Sequence, residues 1–184
     1  MLKRKGVHFE KDGGGTKMAV QYAEHEDLQV VVFTIGEGEF AIHISLVREI
    51  INITKLVALP NMPHAMVGII DVRGAVLPVV DLGQRFTMKS RHEEDFTAKK
   101  VLLVEMDGSM VGYLVDAVSE VLQVPSKAIE TTSKIPGMHS GIVDSICNLE
   151  GRLIPLVDAG KLATTREINQ LERIAKEGVS CSEI

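Results

Sequence analysis

The 184-residue chain has no tryptophan, and aromatic residues make up only 4% of it. Val, Ile, Leu and Met must therefore fill the core, and the sequence supplies few rings for a ligand pocket. Its cysteines, Cys147 and Cys181, are far apart and show no CxxC spacing. They read as reduced thiols of a cytosolic protein, with a structural disulfide as the alternative. No apolar run approaches the ~18 residues of a spanning helix. The basic N-terminus, MLKRKGVHFEKDGGG, has no apolar stretch behind it and is not a signal peptide. Direct membrane insertion is thus not expected, and any membrane role must pass through a partner. Nor is there a basic excess: 20 Lys and Arg face 25 Asp and Glu, for a net charge of −5. That balance argues against nucleic acid as a partner.

Catalytic signatures are missing as well. The histidines His8, His25, His43, His64, His92 and His139 are scattered, without HxxxH or HxH spacing. There is no GxSxG, no Walker loop and no GxGxxG opening a helix. Asp71, Asp81, Asp144 and Asp158 each end or interrupt an apolar run, where a carboxylate usually stops pairing and caps a turn. The reading is a protein without enzymatic chemistry, metal or cofactor.

What the chain does have is hydrophobic residues, 45% of the total, enough for one domain with a real core. Residues 1–27 read as a poorly ordered extension. The three glycines before Met18 suggest translated leader sequence, with Met18 as the native start. From Leu28 onward, short β-branched runs alternate with Gly, Pro and Asp. Strands are expected at Val30 to Ile35, Phe40 to Ile44, Val67 to Val72, Ala75 to Val80, Val101 to Met106, Met110 to Val115, Ile142 to Ile146 and Leu153 to Val157. Gly36-Glu37-Gly38 is the tight turn of the first hairpin. Strands this short and closely spaced suggest small barrels rather than a βαβ sheet.

The pattern also repeats. Gly68-Ile-Ile-Asp71 matches Gly141-Ile-Val-Asp144, and Gly74-Ala-Val-Leu-Pro-Val-Val-Asp81 matches Gly151-Arg-Leu-Ile-Pro-Leu-Val-Asp158. The two matches differ in offset by four residues, which implies an insertion around Cys147 to Glu150. Phe40 to Ile50 matches Val111 to Val121, pairing Glu49 with Glu120. Half-domains are expected at 28–95 and 98–162, packed together with a groove between them. The last segment, 163–184, reads as a helix: Thr164 and Glu167 have capping-box spacing, and Ile168, Leu171, Ile174 and Ala175 share a face. It either docks on its own core or meets a partner.

Arg73 and Glu49 are charges inside apolar stretches. Each either points outward, or the two pair beside an apolar binding surface. The segments around them resemble the CheW-like family. Val31-Val-Phe33 with Gly-Glu-Phe-Ala-Ile-His-Ile44, Leu46-Val-Arg-Glu-Ile50, Leu59-Pro-Asn-Met-Pro63, Gly68-Ile-Ile-Asp-Val-Arg-Gly74, Leu77-Pro-Val-Val-Asp-Leu82 and Val115-Asp-Ala-Val-Ser-Glu-Val-Leu122 occur in the family's order. Asp71 stands where the family usually has Asn, and Val72 where it has Leu. The resemblance implies a mainly β fold of two packed five-stranded SH3-like barrels across 28–162, plus the short C-terminal helix. It also implies a non-catalytic adaptor of chemotaxis, cytoplasmic and recruited to membrane receptor arrays. Such an adaptor joins the regulatory domain of a CheA-type histidine kinase to the cytoplasmic tip of methyl-accepting chemoreceptors. On the matching positions, Val47 and Gly68 would meet the kinase, and Glu49, Arg73, Val76 and Gly112 the receptor. Whether Arg73 pairs with Glu49 or Asp71 stays open. Rival readings are an adaptor for a non-chemotactic kinase, a small-molecule-binding β-barrel sensor, and a hydrolase built on the Asp cluster with His64 or His139.

Overall fold

The computed structural model describes residues 27–53, 55–60, 62–89, 95–106, 108–132, 141–164 and 166–169. Residues 1–26 of the proposed extension, His92, His139, Cys181 and the helix beyond 169 lie outside them. Eleven strands are described: β1 (Leu28–Ile35), β2 (Gly38–His43), β3 (Val47–Asn52), β4 (Met66–Val72), β5 (Ala75–Asp81), β6 (Lys100–Met106), β7 (Ser109–Val115), β8 (Ala117–Val124), β9 (Ile129–Thr131), β10 (Val143–Leu149) and β11 (Arg152–Val157). Two one-turn helices, α1 (Leu82–Arg85) and α2 (Ala159–Leu162), follow β5 and β11. The strands form two sheets, ordered β8-β1-β2-β11-β10-β9 and β3-β6-β7-β5-β4. The mainly β expectation holds, with the strands in two sheets of six and five. Neither sheet closes on itself, so the barrel description goes further than the hydrogen bonding does.

The repeat is visible in these two orders. β1 and β2 of the first repeat correspond to β6 and β7 of the second, β3 to β8, and the β4–β5 hairpin to β10–β11. Equivalent strands occupy equivalent places, but the repeats have exchanged hairpins. Each sheet combines a hairpin from one repeat with strands of the other. Segments 28–95 and 98–162 therefore do not each form a sheet. The chain crosses between sheets at two points, from β2 to β3 and from β7 to β8. At the first crossing His43 Nδ1 accepts the Ser45 amide at 3.1 Å, and burial pushes its imidazole below the usual histidine value. At the second, the Asp116 carboxylate accepts the Gly36 amide at 2.7 Å, and the Asp116 amide donates to the Thr34 carbonyl at 3.0 Å.

One expected feature is corrected. In the second repeat β10 and β11 pair Leu149 with Arg152 across Glu150-Gly151, just as β4 and β5 pair Val72 with Ala75 across Arg73-Gly74. The offset is 77 positions throughout, from Val72 against Leu149 to Val80 against Val157. There is no insertion in this loop; Cys147, Asn148 and Leu149 are strand residues. Gly68 is equivalent to Ser145 and Asp71 to Asn148, so the likeness of the two Gly-Ile-x-Asp segments is out of register. Backbone geometry sets the true register. Both turns have two residues at positive φ: Arg73 (54°) with Gly74 (85°), and Glu150 (53°) with Gly151 (89°). That is the pattern of a type I′ turn, whose twist matches the strands it joins.

Burial explains the composition. β1 and β6 are covered on both faces. Val30 and Val32 enter a cluster with Ala41, Ile154 and Leu156, while Val31, Phe33 and Ile35 enter a layer shared by both sheets. Val101 and Leu103 face a third cluster with Val79 and Leu114, and Leu102 and Val104 return to the shared layer. Strands buried on both sides read as continuous apolar runs rather than alternating ones. Tyr113 lies fully buried in the shared layer, its hydroxyl donating to the Ala159 carbonyl at 3.3 Å. Burial drives its phenol upward, out of reach of physiological titration.

The carboxylates behave as caps. Asp81 Oδ1 accepts the Gln84 amide at 3.1 Å at the start of α1, and Asp158 Oδ1 accepts the Gly160 amide at 3.0 Å at the start of α2. The other Asp81 oxygen meets Lys99 Nζ at 3.2 Å, both side chains being almost wholly buried. The predicted capping box is also present. The Glu167 amide donates to Thr164 Oγ1 at 3.2 Å, and Glu167 Oε2 accepts the Thr164 amide at 2.7 Å. Glu167 grips Arg85 through two bonds of 3.1 Å, and Ile168 is buried in the shared layer. Burial raises the Glu167 carboxyl, but the Thr164 bonds and Arg85 outweigh it and hold the group below the ordinary carboxylate range. The helix thus docks on its own core at its first turn.

Candidate docking face

The tip of the β4–β5 hairpin is fixed by its own side chains. Asp71 Oδ1 accepts the Gly74 amide at 2.8 Å across the turn. Arg73, held at positive φ, projects Nη2 to Glu49 Oε1 on β3 at 2.9 Å. β3 and β4 are the end strands of their sheet, so this bond links the sheet's two ends. The partner of Arg73 is Glu49, and Asp71 holds the turn. The Arg73 side chain is 79% exposed and that of Glu49 37%. A pair this wet adds about 0–1 kcal/mol of stability; what it does is orient the guanidinium, most of whose N–H groups remain available. Val76 lies directly across from Asp71 on β5, with 49% of its surface exposed. Glu49, Arg73, Val76 and Asp71 thus form one small mixed face.

Gly112 does not join them. It is buried in β7 between Leu103 and Val79, and a Cβ there would come within 2.8 Å of Val101 Cγ1. Its role is to let β5, β6 and β7 pack closely. Val47 opens β3, half-buried against the shared layer, with Val104 as its strand partner. Gly68 sits on β4 opposite Val79, at an irregularity in the pairing. Val47 and Gly68 both lie on end strands, but Gly68 has no room for a side chain. A Cβ would press into the backbone carbonyl of Val57, whose amide and carbonyl bond Ile69 at 2.9 Å each. Gly68→Ala is therefore expected to cost about 1–3 kcal/mol, read as a lower denaturant midpoint. Loss of partner binding in a Gly68 variant then needs a stability control.

The repeat supplies a related face that single-residue inspection missed. Four large hydrophobic side chains stand out as exposed among the described residues: Ile50, Val76, Val121 and Leu153. They fall into two equivalent pairs, Ile50 with Val121 and Val76 with Leu153. Next to Leu153, Arg152 clamps Glu39 through bonds of 2.9 and 2.8 Å and reaches Glu120, the counterpart of Glu49, at 2.8 Å. The bonds from Arg152 hold the Glu39 carboxyl below its ordinary range. The sequence matches of 40–50 with 111–121 and of 74–81 with 151–158 already align both pairs; what they do not give is that all four side chains are exposed.

Chemistry of other kinds has little to work with. Cys147 is a free buried thiol pushed up to about 11 by burial, and so unreactive. Among the described residues, no group of three or more His, Cys, Asp or Glu could hold a metal ion, and no helix is long and apolar enough to cross a membrane.

Comparison with known proteins places the fold in a family. The family model for the CheW-like domain matches residues 29–167. The probable chemotaxis protein CheW of Rhizobium etli is 36% identical over 151 residues, covering 81% of this chain and 96% of that one. The chemotaxis protein CheW of Rhizobium meliloti is 32% identical with the same coverage of both chains. Among solved structures, the scaffolding protein TtCheW of Thermoanaerobacter tengcongensis superposes with a TM-score of 0.67 at 27% identity, over 74% of this chain and 92% of that one. With every residue of its described sheets except Leu28 inside the matched region, the chain belongs to the CheW family.

Proposed function

We propose that this protein is a non-catalytic scaffold of chemotaxis that couples chemoreceptors to a CheA-type histidine kinase. The observation that carries the reading is the Glu49–Arg73 pair: oriented, largely exposed, set beside exposed Val76 on a rigid sheet, in a chain of the CheW family. Arg73 has donors to spare for an acidic or carbonyl group, and Val76 offers apolar area. A helical receptor tip matches such a face, through an apolar stripe flanked by charge. The end strands bearing Val47 and Gly68 would meet the kinase's regulatory domain through surface packing, since Val57 already occupies the backbone edge of β4 beside Gly68. Receptor state would then bias kinase state through differential contacts, without chemistry in the adaptor. The protein would work in the cytoplasm, brought to the membrane by its receptor.

The test is Arg73→Glu in a reconstituted assembly of receptor fragment, kinase and adaptor. Facing Glu49, the new carboxylate removes the anchor and reverses the charge of the face. Receptor-dependent kinase control is expected to weaken about tenfold or more, equal to ~1.4 kcal/mol or more. Thermal stability should stay within about 0.5 kcal/mol, as for most surface substitutions. Normal control by the variant would remove Arg73 from the receptor face.

A further inference from the structure

We infer that Asp71 is a specificity-determining residue of the docking face, selecting a partner segment that brings a basic side chain opposite it; this rests on the proposed receptor reading of Arg73 and Val76. The turn needs only one oxygen at this position. Asp71 Oδ1 accepts the Gly74 amide at 2.8 Å, a bond that a carboxamide oxygen makes equally well. The rest of the carboxylate is exposed, and among the described residues no other group bonds it. The second repeat provides the comparison. At the equivalent place in an equivalent turn, opposite Leu153 as Asp71 is opposite Val76, stands Asn148. The geometry is thus compatible with a neutral residue, and the charge at Asp71 is additional to what the hairpin requires.

Its neighbours give that charge a direction. Arg73 is already matched by Glu49 at 2.9 Å, so Glu49 and Arg73 together are neutral. Asp71 leaves the face with one surplus negative charge, next to Val76 and two residues from the guanidinium. A partner that fits carries an apolar residue for Val76, an acceptor for the spare N–H groups of Arg73 and a Lys or Arg for Asp71. A segment with an acidic residue at that last position would be repelled.

Asp71→Asn tests this, since it keeps the turn bond and removes only the charge. The full-length protein and its Asp71→Asn, Asp71→Lys, Arg73→Glu and Val76→Glu variants would be titrated calorimetrically with a soluble fragment of a chemoreceptor cytoplasmic tip, at low and high salt. Asp71→Asn is expected to melt like the parent, to bind about two- to fivefold more weakly at low salt, and to show a shallower salt dependence. Asp71→Lys should weaken binding further. If Arg73→Glu and Val76→Glu weaken binding while Asp71→Asn binds unchanged or more tightly, the inference fails and the docking face stands. Should none of the variants alter binding, the docking face itself is wrong, and the role of Asp71 falls with it.

Discussion

Replacing Lys99 with methionine is expected to cost about 3–5 kcal/mol of stability. The Lys99 ammonium lies 3.2 Å from Asp81 Oδ2, with the two side chains only 2% and 6% exposed. Removing the cation leaves a carboxylate in the interior without its countercharge. Asp81 cannot turn away, because its other oxygen caps α1 and its amide is bonded to the Ala65 carbonyl at 2.8 Å. Methionine keeps most of the packing against Phe96, whose ring lies 5.5 Å from the ammonium. The loss would therefore report charge rather than volume. Urea denaturation measures it, and the double variant Lys99→Met with Asp81→Asn should recover much of the loss, since asparagine still caps the helix while carrying no charge. A single-variant cost below about 1 kcal/mol would mean that water reaches the pair. Lys99 belongs to the second repeat and Asp81 to the first, so the double-variant cycle also measures how strongly the two are joined.

A loss of similar size, about 3–5 kcal/mol, is expected for Phe33→Ala. Phe33 is fully buried in the layer common to both sheets, its ring centroid 6.0 Å from that of Phe40, which in turn contacts Phe86 at 5.0 Å. The neighbours Val31, Ile35 and Ile42 sit on paired strands and cannot collapse inward without disturbing the β1–β2 register. Thermal and chemical denaturation should give one cooperative transition at a lower midpoint. Separate transitions for the two sheets would show instead that the common layer does not couple them.

How much of this was legible in the sequence follows from burial. β1, β6 and β5 from Leu77 onward are covered on both sides and announce themselves as apolar runs. β3 and β8 alternate between half-buried and exposed residues at sheet ends, so they read as charged motifs rather than strands. β9 has three residues, too few for any period to show. Register failed where local similarity competed with turn geometry. Gly141 resembles Gly68, yet the hairpins are aligned by Arg73-Gly74 and Glu150-Gly151; the match of Gly74 with Gly151 carried the true offset, and the strand pairing and turn angles decide between the two. The charges Arg73 and Glu49 stood out because apolar sequence surrounds them, but their pairing depends on which strands end the sheet, and that is a tertiary fact. Gly112 enters the receptor set only through the family resemblance, and nothing local distinguishes a glycine that makes room for a neighbouring strand from one that makes room for a partner. The exchange of hairpins left no mark in the sequence, because a strand's composition encodes its burial and not its neighbour.

That exchange bears on ancestry and on folding. Val30 pairs with Leu122, 92 positions along the chain, and Val79 with Gly112. An ancestor of one repeat's length could have completed both sheets only by trading its first hairpin with a second copy, so the present chain has the architecture of a swapped dimer whose subunits were fused. Neither lobe can be finished until both repeats have been synthesised, and closing such distant pairings is slow compared with forming local contacts. In return the lobes are interlaced: pulling them apart means unthreading two strand crossings as well as exposing a common apolar layer. A domain laced in this way keeps or loses both sheets together, so it cannot come apart into two working halves.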